Sequence, residues 1–387
     1  MNILGDISTE TFLSEYWQKK PLLIRNAFPD FEPPVDPDDI AGLSLDEDVE
    51  SRILIEDVDK QSWQVRHGPF SEQSFTELPK ENWTLLVQAV DHWIPEFADL
   101  LEQFSFIPSW RRDDLMVSFA PKGGSVGPHY DLYDVFLVQG MGQRHWQLGP
   151  KCDDNTKTLP DLPVKILESM NVEHEWTLNP GDMLYIPPSY AHNGVAVNDC
   201  MTFSIGFRAP SEADVLQGFT DHLAAELNND QRYTDPALKS AEDSPAFIDD
   251  DAIERFRQIL QQNISQESQL KKWLAQTMTE PKYEELHQPL EEELEWEDIE
   301  SLFKEATLLT QNETSRWAYF KDEQQVCLFI NGQTQAMAES KNAQELAQHL
   351  ANARHVNIED ITSYLTEPDC QNLLLDLING NYLYFEG

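Results

Sequence analysis

In the first 208 residues the apolar positions come in short runs: LMVSF (115–119), VFLVQG (135–140), HWQLG (145–149), MLYIP (183–187) and MTFSIGF (201–207). Glycine, proline, asparagine and aspartate separate them. Short runs so bounded, rich in β-branched and aromatic residues, predict the strands of an all-β barrel or sandwich. Two stretches ahead of them carry helical spacing: ETFLSEYWQKK (10–20), apolar at 12, 16 and 17, and the longer ENWTLLVQAVDHWIPEFADLLEQF (81–104).

The strand pattern stops at RAPS (208–211). ADVLQGFTDHLAAELNN follows, apolar at 213, 215, 216, 219, 223, 224 and 227. A polar linker, NNDQRYTDPALKSAEDSP (228–245), leads to a second helix near 251–278. Amphipathic helices between domains serve packing or oligomerisation. The acidic run EEELEWEDIE (291–300) reads as a solvated face or linker. SRWAYFKDEQQVCLFINGQTQAMA (315–338) then has the split of a hairpin. AQELAQHLANA (343–353) and IEDITSYL (358–365) read as helices, and LLLDLINGNYLYF (373–385) closes the pattern. Helices with a small β-ribbon predict a winged-helix-like end.

Composition changes this picture in three ways. The chain has 387 residues, long for one domain, and 40% of them are hydrophobic, enough for an ordinary core. Its formal net charge is −42. Such a field repels nucleic-acid phosphate and attracts basic partners, although acidity also serves solubility alone. Residues 321–387 hold three Lys/Arg against ten Asp/Glu, so direct nucleic-acid binding by the winged-helix-like end is not expected. The four cysteines form no C-x-x-C pair, which argues against a zinc cluster. No apolar run suits a membrane helix, and MNILGDISTETFL lacks the pattern of a secretory signal, so a cytoplasmic protein is expected.

The candidate chemistry sits in GPHYDLYD (127–134). If 129–138 is a strand, His129 and Asp131 share one face, because residues i and i+2 point the same way. An H-x-D pair alone is also a common surface arrangement. The stretch NPGDMLYIPPSYAHNGV (179–195) adds a turn, a strand, two prolines and then His192. Two imidazoles and one carboxylate compose a facial triad that leaves metal positions open, which suits Fe(II) and O2. The other histidines lack ligand spacing, and His145 reads as structural. Arg144, in GMGQRHWQLG, is a cation on an otherwise apolar strand. It is either an exposed strand residue or an interior fork for a carboxylate, and 2-oxoglutarate carries a suitable distal one. Ser118, in LMVSF, could add a hydroxyl donor. Asp113, Asp114 and Asp134 are candidates to meet a guanidinium, with no spacing that singles one out.

Three motifs together carry a resemblance: YWQKKPLLIRNAF (16–28), GGSVGPHYDLYDVFLVQGMGQRHW (123–146) and PGDMLYIPPSYAHNG (180–194). In this order they resemble the JmjC/cupin-type 2-oxoglutarate oxygenases, the bacterial ribosomal-oxygenase subgroup in particular. The resemblance implies an α+β fold: a double-stranded β-helix (cupin/JmjC jelly roll) over 1–208, a helical dimerisation region over 209–279 and a winged-helix-like domain over 280–387. It implies His129, Asp131 and His192 as iron ligands and no catalytic group beyond them. Arg144 would meet the distal carboxylate of 2-oxoglutarate, with Ser118 near that co-substrate. The implied cofactors are Fe(II), 2-oxoglutarate and O2. The implied reaction is hydroxylation at Cβ of an arginine in a basic large-subunit ribosomal protein, by a cytoplasmic homodimer. The rivals are the same chemistry on another residue (a histidine hydroxylase or lysine demethylase), a non-catalytic metal-binding cupin scaffold, and a non-oxidative metal cupin.

Overall fold

Eleven strands build the N-terminal unit, Met1–Ala209: β1 (Leu22–Ile24), β2 (Ser51–Asp57), β3 (Ser62–His67), β4 (Trp83–Val87), β5 (Arg112–Ala120), β6 (Val135–Met141), β7 (Arg144–Lys151), β8 (His174–Leu178), β9 (Met183–Ile186), β10 (Tyr190–Ala196) and β11 (Cys200–Phe207). They form an antiparallel eight-stranded sheet, ordered β1-β9-β6-β11-β5-β4-β2-β3, and a three-stranded sheet, β10-β7-β8. These are from a computed structural model, which describes residues 2–60, 62–160, 162, 164–228, 230–238, 245–322, 325–338 and 340–386.

Alternation along the strands decides which face is which. On β11, Met201, Phe203, Ile205 and Phe207 join a core with Val117, Phe136 and Val138, and helices Thr9–Glu15 and Pro95–Glu102 add Phe12, Phe97 and Leu101 to it. Each such aromatic or aliphatic side chain contributes about 1.5–3 kcal/mol on burial. The residues between them face the other way. There Val135, Leu137, Leu184 and Ile186 of the large sheet meet Trp146, Leu148 and Leu178 of the small one. That second cluster is the barrel interior, and Arg144, two residues before Trp146, shares its face.

Three local expectations are corrected. WTLLV (83–87) is a strand, not the start of a long helix; a 3-10 turn follows at Val90–His92, and α-helix begins only at Pro95, a residue pre-set for a first turn. The strand expected over 129–138 begins at Val135, and His129 makes only an isolated bridge. The segment expected as a hairpin is a three-strand meander, Trp317–Asp322, Gln325–Ile330 and Gln333–Ala338.

The second unit is Pro210–Gly387. The predicted helix near 251–278 is two helices, Asp250–Ile264 and Glu267–Thr279, after Glu212–Glu226. The predicted linker between the first two includes 229 and 239–244, which lie outside the described residues. Trp273 packs with Phe219 and Leu223, whereas helix Asp250–Ile264 has no buried residue. Beyond them, Leu309, Trp317 and Leu328 of the small sheets pack on Leu346 and Leu350 of helix Lys341–Asn352 and on Leu374 and Leu377 of helix Pro368–Asn379. Among the described residues no helix is long and apolar enough to cross a membrane.

Candidate metal and co-substrate site

His129 and His192 hold each other through the backbone. The His129 amide donates to the His192 carbonyl at 3.0 Å, and the His192 amide returns a bond at 2.8 Å. Asp131 is tied to the same segment, because the Ser189 amide donates to its carbonyl at 2.6 Å. Ser189 adopts φ +71°, a left-handed conformation that costs a non-glycine residue about 1–2 kcal/mol. The turn that delivers His192 carries that strain while its amide holds Asp131.

The ring nitrogens are assigned by their partners. His129 Nδ1 lies 2.8 Å from the Gly127 carbonyl, and His192 Nδ1 lies 2.9 Å from the Tyr190 carbonyl. A carbonyl only accepts, so both Nδ1 atoms carry protons, which in a neutral ring leaves the lone pair on Nε2. Those Nε2 atoms lie 3.9 and 3.6 Å from Asp131 Oδ2, and the three donor atoms are all within 4.8 Å of one another. Burial, and then the neighbouring His129, push the His192 imidazole well below its ordinary pKa. It is therefore neutral near pH 7, the form a metal requires. Two imidazoles and a carboxylate converging in this way fit a divalent iron site.

Arg144 opens β7, opposite Ala196 of β10 and Leu178 of β8. It is 3% exposed, and its Nε and Nη2 find no partner among the described residues. Leaving a buried donor unanswered costs roughly 1–3 kcal/mol, more for a charged group. Such a fork fits a carboxylate bound beside it. Trp146, also buried, places its ring 5.9 Å from the Arg144 guanidinium and 6.1 Å from the His192 ring. A Cβ at Gly194 would lie 2.7 Å from that indole, so the glycine after the H-N pair makes room for it. The interior wall is thus Arg144, Trp146 and His192.

Ser118 points to the same interior face, since its neighbours Val117 and Phe119 pack outward. Its hydroxyl donates to the Thr202 carbonyl at 3.2 Å, and Thr202 Oγ1 donates to Gln139 Oε1 at 3.1 Å. Of the candidate acidic residues, Asp134 is fully buried and accepts from the Tyr185 hydroxyl (2.6 Å) and Gln18 Nε2 (2.9 Å), which makes it structural. Asp114 accepts from Gln88 Nε2, and Asp113 pairs with Arg208. His145 sits between Thr177 and Glu175, a structural position as expected. Sequence reasoning missed Tyr133. Its phenol is pushed upward by loss of water and then by the charges of Asp131 and Asp114, with Arg52 opposing them, so it lies beside the carboxylate of the triad. The aromatic so soon after H-x-D was the available signal.

Residues 99–215 match the JmjC domain family, and residues 260–384 match the ROXA-like winged helix. The chain is 38% identical to a probable ribosomal oxygenase of Haemophilus influenzae, over 84% of this chain and 82% of that one. It is 34% identical to the ribosomal protein uL16 3-hydroxylase of Escherichia coli, over 97% of each. The chain belongs to the ribosomal oxygenase family. The X-ray structure of Escherichia coli YcfD, a member of this family, superposes with a TM-score of 0.88 at 32% identity and covers 99% of both chains. YcfD in complex with cobalt and 2-oxoglutarate gives 0.86 at 31%. The family therefore has the JmjC cupin fold and C-terminal winged helix expected from the motifs.

Proposed function

We propose that His129, Asp131 and His192 hold Fe(II), that Arg144 receives the distal carboxylate of 2-oxoglutarate, and that the substrate is an arginine of a large-subunit ribosomal protein. The protein is a 2-oxoglutarate-dependent dioxygenase. Iron and its co-substrates supply the oxidation when bound: 2-oxoglutarate and O2 become succinate and CO2, and one oxygen atom enters a C–H bond, here the arginine Cβ–H. The residues of this chain bind and orient. Burial keeps His192 neutral and dry. The Nδ1 bonds to Gly127 and Tyr190 fix both imidazole planes. Ser118 belongs to the interior wall near the co-substrate. The single observation that carries the reading is a buried guanidinium, its Nε and Nη2 without a partner among the described residues, in the same interior as a His-Asp-His donor set.

The substrate side rests on charge and kinship. The Escherichia coli relative is a uL16 3-hydroxylase. The net charge of −42 suits a basic protein rather than nucleic acid. We take the protein to work in the cytoplasm, where such a substrate is made. We also infer three functional regions, 1–208, 209–279 and 280–387, with a second copy of the chain covering helix Asp250–Ile264. Ile253, Phe256, Ile259, Leu260 and Ile264 on that helix are all 42–58% exposed. Sedimentation as a monomer at micromolar concentration would exclude the dimer.

The test of function is succinate release with Fe(II), 2-oxoglutarate and O2, with and without ribosomal proteins, followed by their masses. One added oxygen on an arginine of one protein is the expected result. Succinate without a ribosomal mass shift would keep the oxygenase and discard the substrate. An oxygen on a histidine, or loss of a methyl group from a lysine, would favour the alternative readings; a relative in Brugia malayi named bifunctional lysine-specific demethylase and histidyl-hydroxylase NO66 is 42% identical over 101 residues, 23% of this chain.

A further inference from the structure

We propose that Ser125 is a positioning residue for the metal site, its hydroxyl clasping the two chain segments that carry His129 and His192. The inference rests on the metal reading above and concerns how those ligands are held.

Ser125 is 3% exposed, and its hydroxyl is used twice. It donates to Asn193 Oδ1 at 2.9 Å and accepts from the Gly127 amide at 3.0 Å. Each partner leads directly to a histidine. The Gly127 carbonyl receives the His129 Nδ1 proton, and Asn193 is the residue after His192. The segment 123–129 runs beside β10 and is backbone-paired with it at two points. At one, Gly123 donates to Ala196 at 2.8 Å and Ala196 to Gly124 at 3.0 Å. At the other, His129 and His192 exchange bonds.

Between those points the chain leaves strand geometry. Gly127 takes φ +83°, and Pro128 has no N–H to donate. The Ser125–Asn193 bond spans this stretch, and the Gly127–Ser125 bond sets the turn that aims the Gly127 carbonyl. An ordinary turn cap would stop at the second bond. A hydroxyl that also reaches the neighbouring residue of the other ligand couples the two imidazoles. The Gly127 carbonyl is the direct partner of the His129 ring, the kind of contact that typically governs roughly 10–100-fold in metal affinity, and Ser125 acts by holding that carbonyl in place.

The experiment is Co(II) titration of the full-length protein, followed by calorimetry and visible absorption, with a melting curve for each variant. Ser125→Ala is expected to weaken Co(II) binding roughly tenfold or more and to change its visible bands, with little change in melting. Asn193→Ala should do the same. The double variant should bind no worse than the weaker single one, because both remove one clasp. Ser125→Thr, which keeps the hydroxyl, should restore affinity. A Ser125→Ala protein that binds Co(II) within twofold of wild type, with the same bands, overturns the proposal. So do two singles whose losses simply add. If Ser125→Ala does not fold, Asn193→Ala decides by the same criteria. His192→Ala separates the two readings. Tight binding by wild type, lost in His192→Ala, keeps the triad whatever Ser125 does. If wild type itself takes up no Co(II), the triad and the clasp fall together.

Discussion

Single side chains carry the sharpest consequences. Arg144 is buried with two unanswered N–H groups, so its value lies in what it receives. Losing a charge-assisted pair costs roughly 1.5–3 kcal/mol, on the order of 10–100-fold in affinity. Arg144→Met is therefore expected to raise the KM for 2-oxoglutarate by that factor, with a smaller effect on kcat. Steady-state kinetics check it, and an unchanged KM would remove Arg144 from the co-substrate site. Asp134 supplies a pH prediction. Burial raises its pKa against the opposing effect of the Tyr185 and Gln18 hydrogen bonds. Between its unfolded value of 3.8 and the raised folded value, the folded state binds more protons than the unfolded one. Its contribution to stability is therefore fully present below the unfolded value and declines as pH rises through the folded one. Asp134→Asn removes this titration. Urea midpoints of both proteins should diverge in the variant's favour as pH rises across that window, whatever their absolute offset. Parallel midpoints would contradict it.

Whole elements show how much was legible beforehand. Gly181 illustrates a turn the structure cannot do without: φ is +83°, and a Cβ would lie 2.3 Å from the Phe28 carbonyl. Gly181→Ala should lower stability by about 2–4 kcal/mol, through strain and overpacking. Gly42, in helix Pro37–Leu43, would place a Cβ with nothing within 4 Å, and Gly42→Ala should gain about 0.5 kcal/mol. Thermal melts of the pair give the comparison. The Pro-Gly-Asp turn, the strand after it and His192 could be read from sequence because local chemistry dictates them. The run 83–87 could not. WTLLV has enough apolar residues for either period, and its pairing with β2 and β5 decides for strand. The H-x-D pair was legible as a pair of donors but not as loop residues. What brings them together is a backbone bridge to His192, far off in sequence. Trp146 beside Gly194 was invisible for the same reason: neither residue signals the other until β7 and β10 are paired.

At the scale of the molecule the dominant quantity is charge. A net −42 on 44.5 kDa predicts that association with a basic protein is steered, so its on-rate should fall steeply as salt rises. Stopped-flow association at several ionic strengths measures this, and a flat profile would leave the acidity to solubility alone. Helix Asp250–Ile264 is the other global feature. Phe256→Asp on its exposed face should shift sedimentation from dimer to monomer. Finally, the paired amides of His129 and His192 bear on how such a protein can vary. Two segments that hold each other share whatever packs against either. The described residues between β7 and β8 press on that pair: the Leu167 amide donates to the Pro128 carbonyl at 2.7 Å, the Cys152 amide donates to the Ser189 carbonyl at 2.7 Å, and Ile166 and Leu167 are buried. Insertions and deletions among close variants of this chain should therefore spare Cys152, Ile166 and Leu167, where the segment meets the stretches that carry His129 and His192.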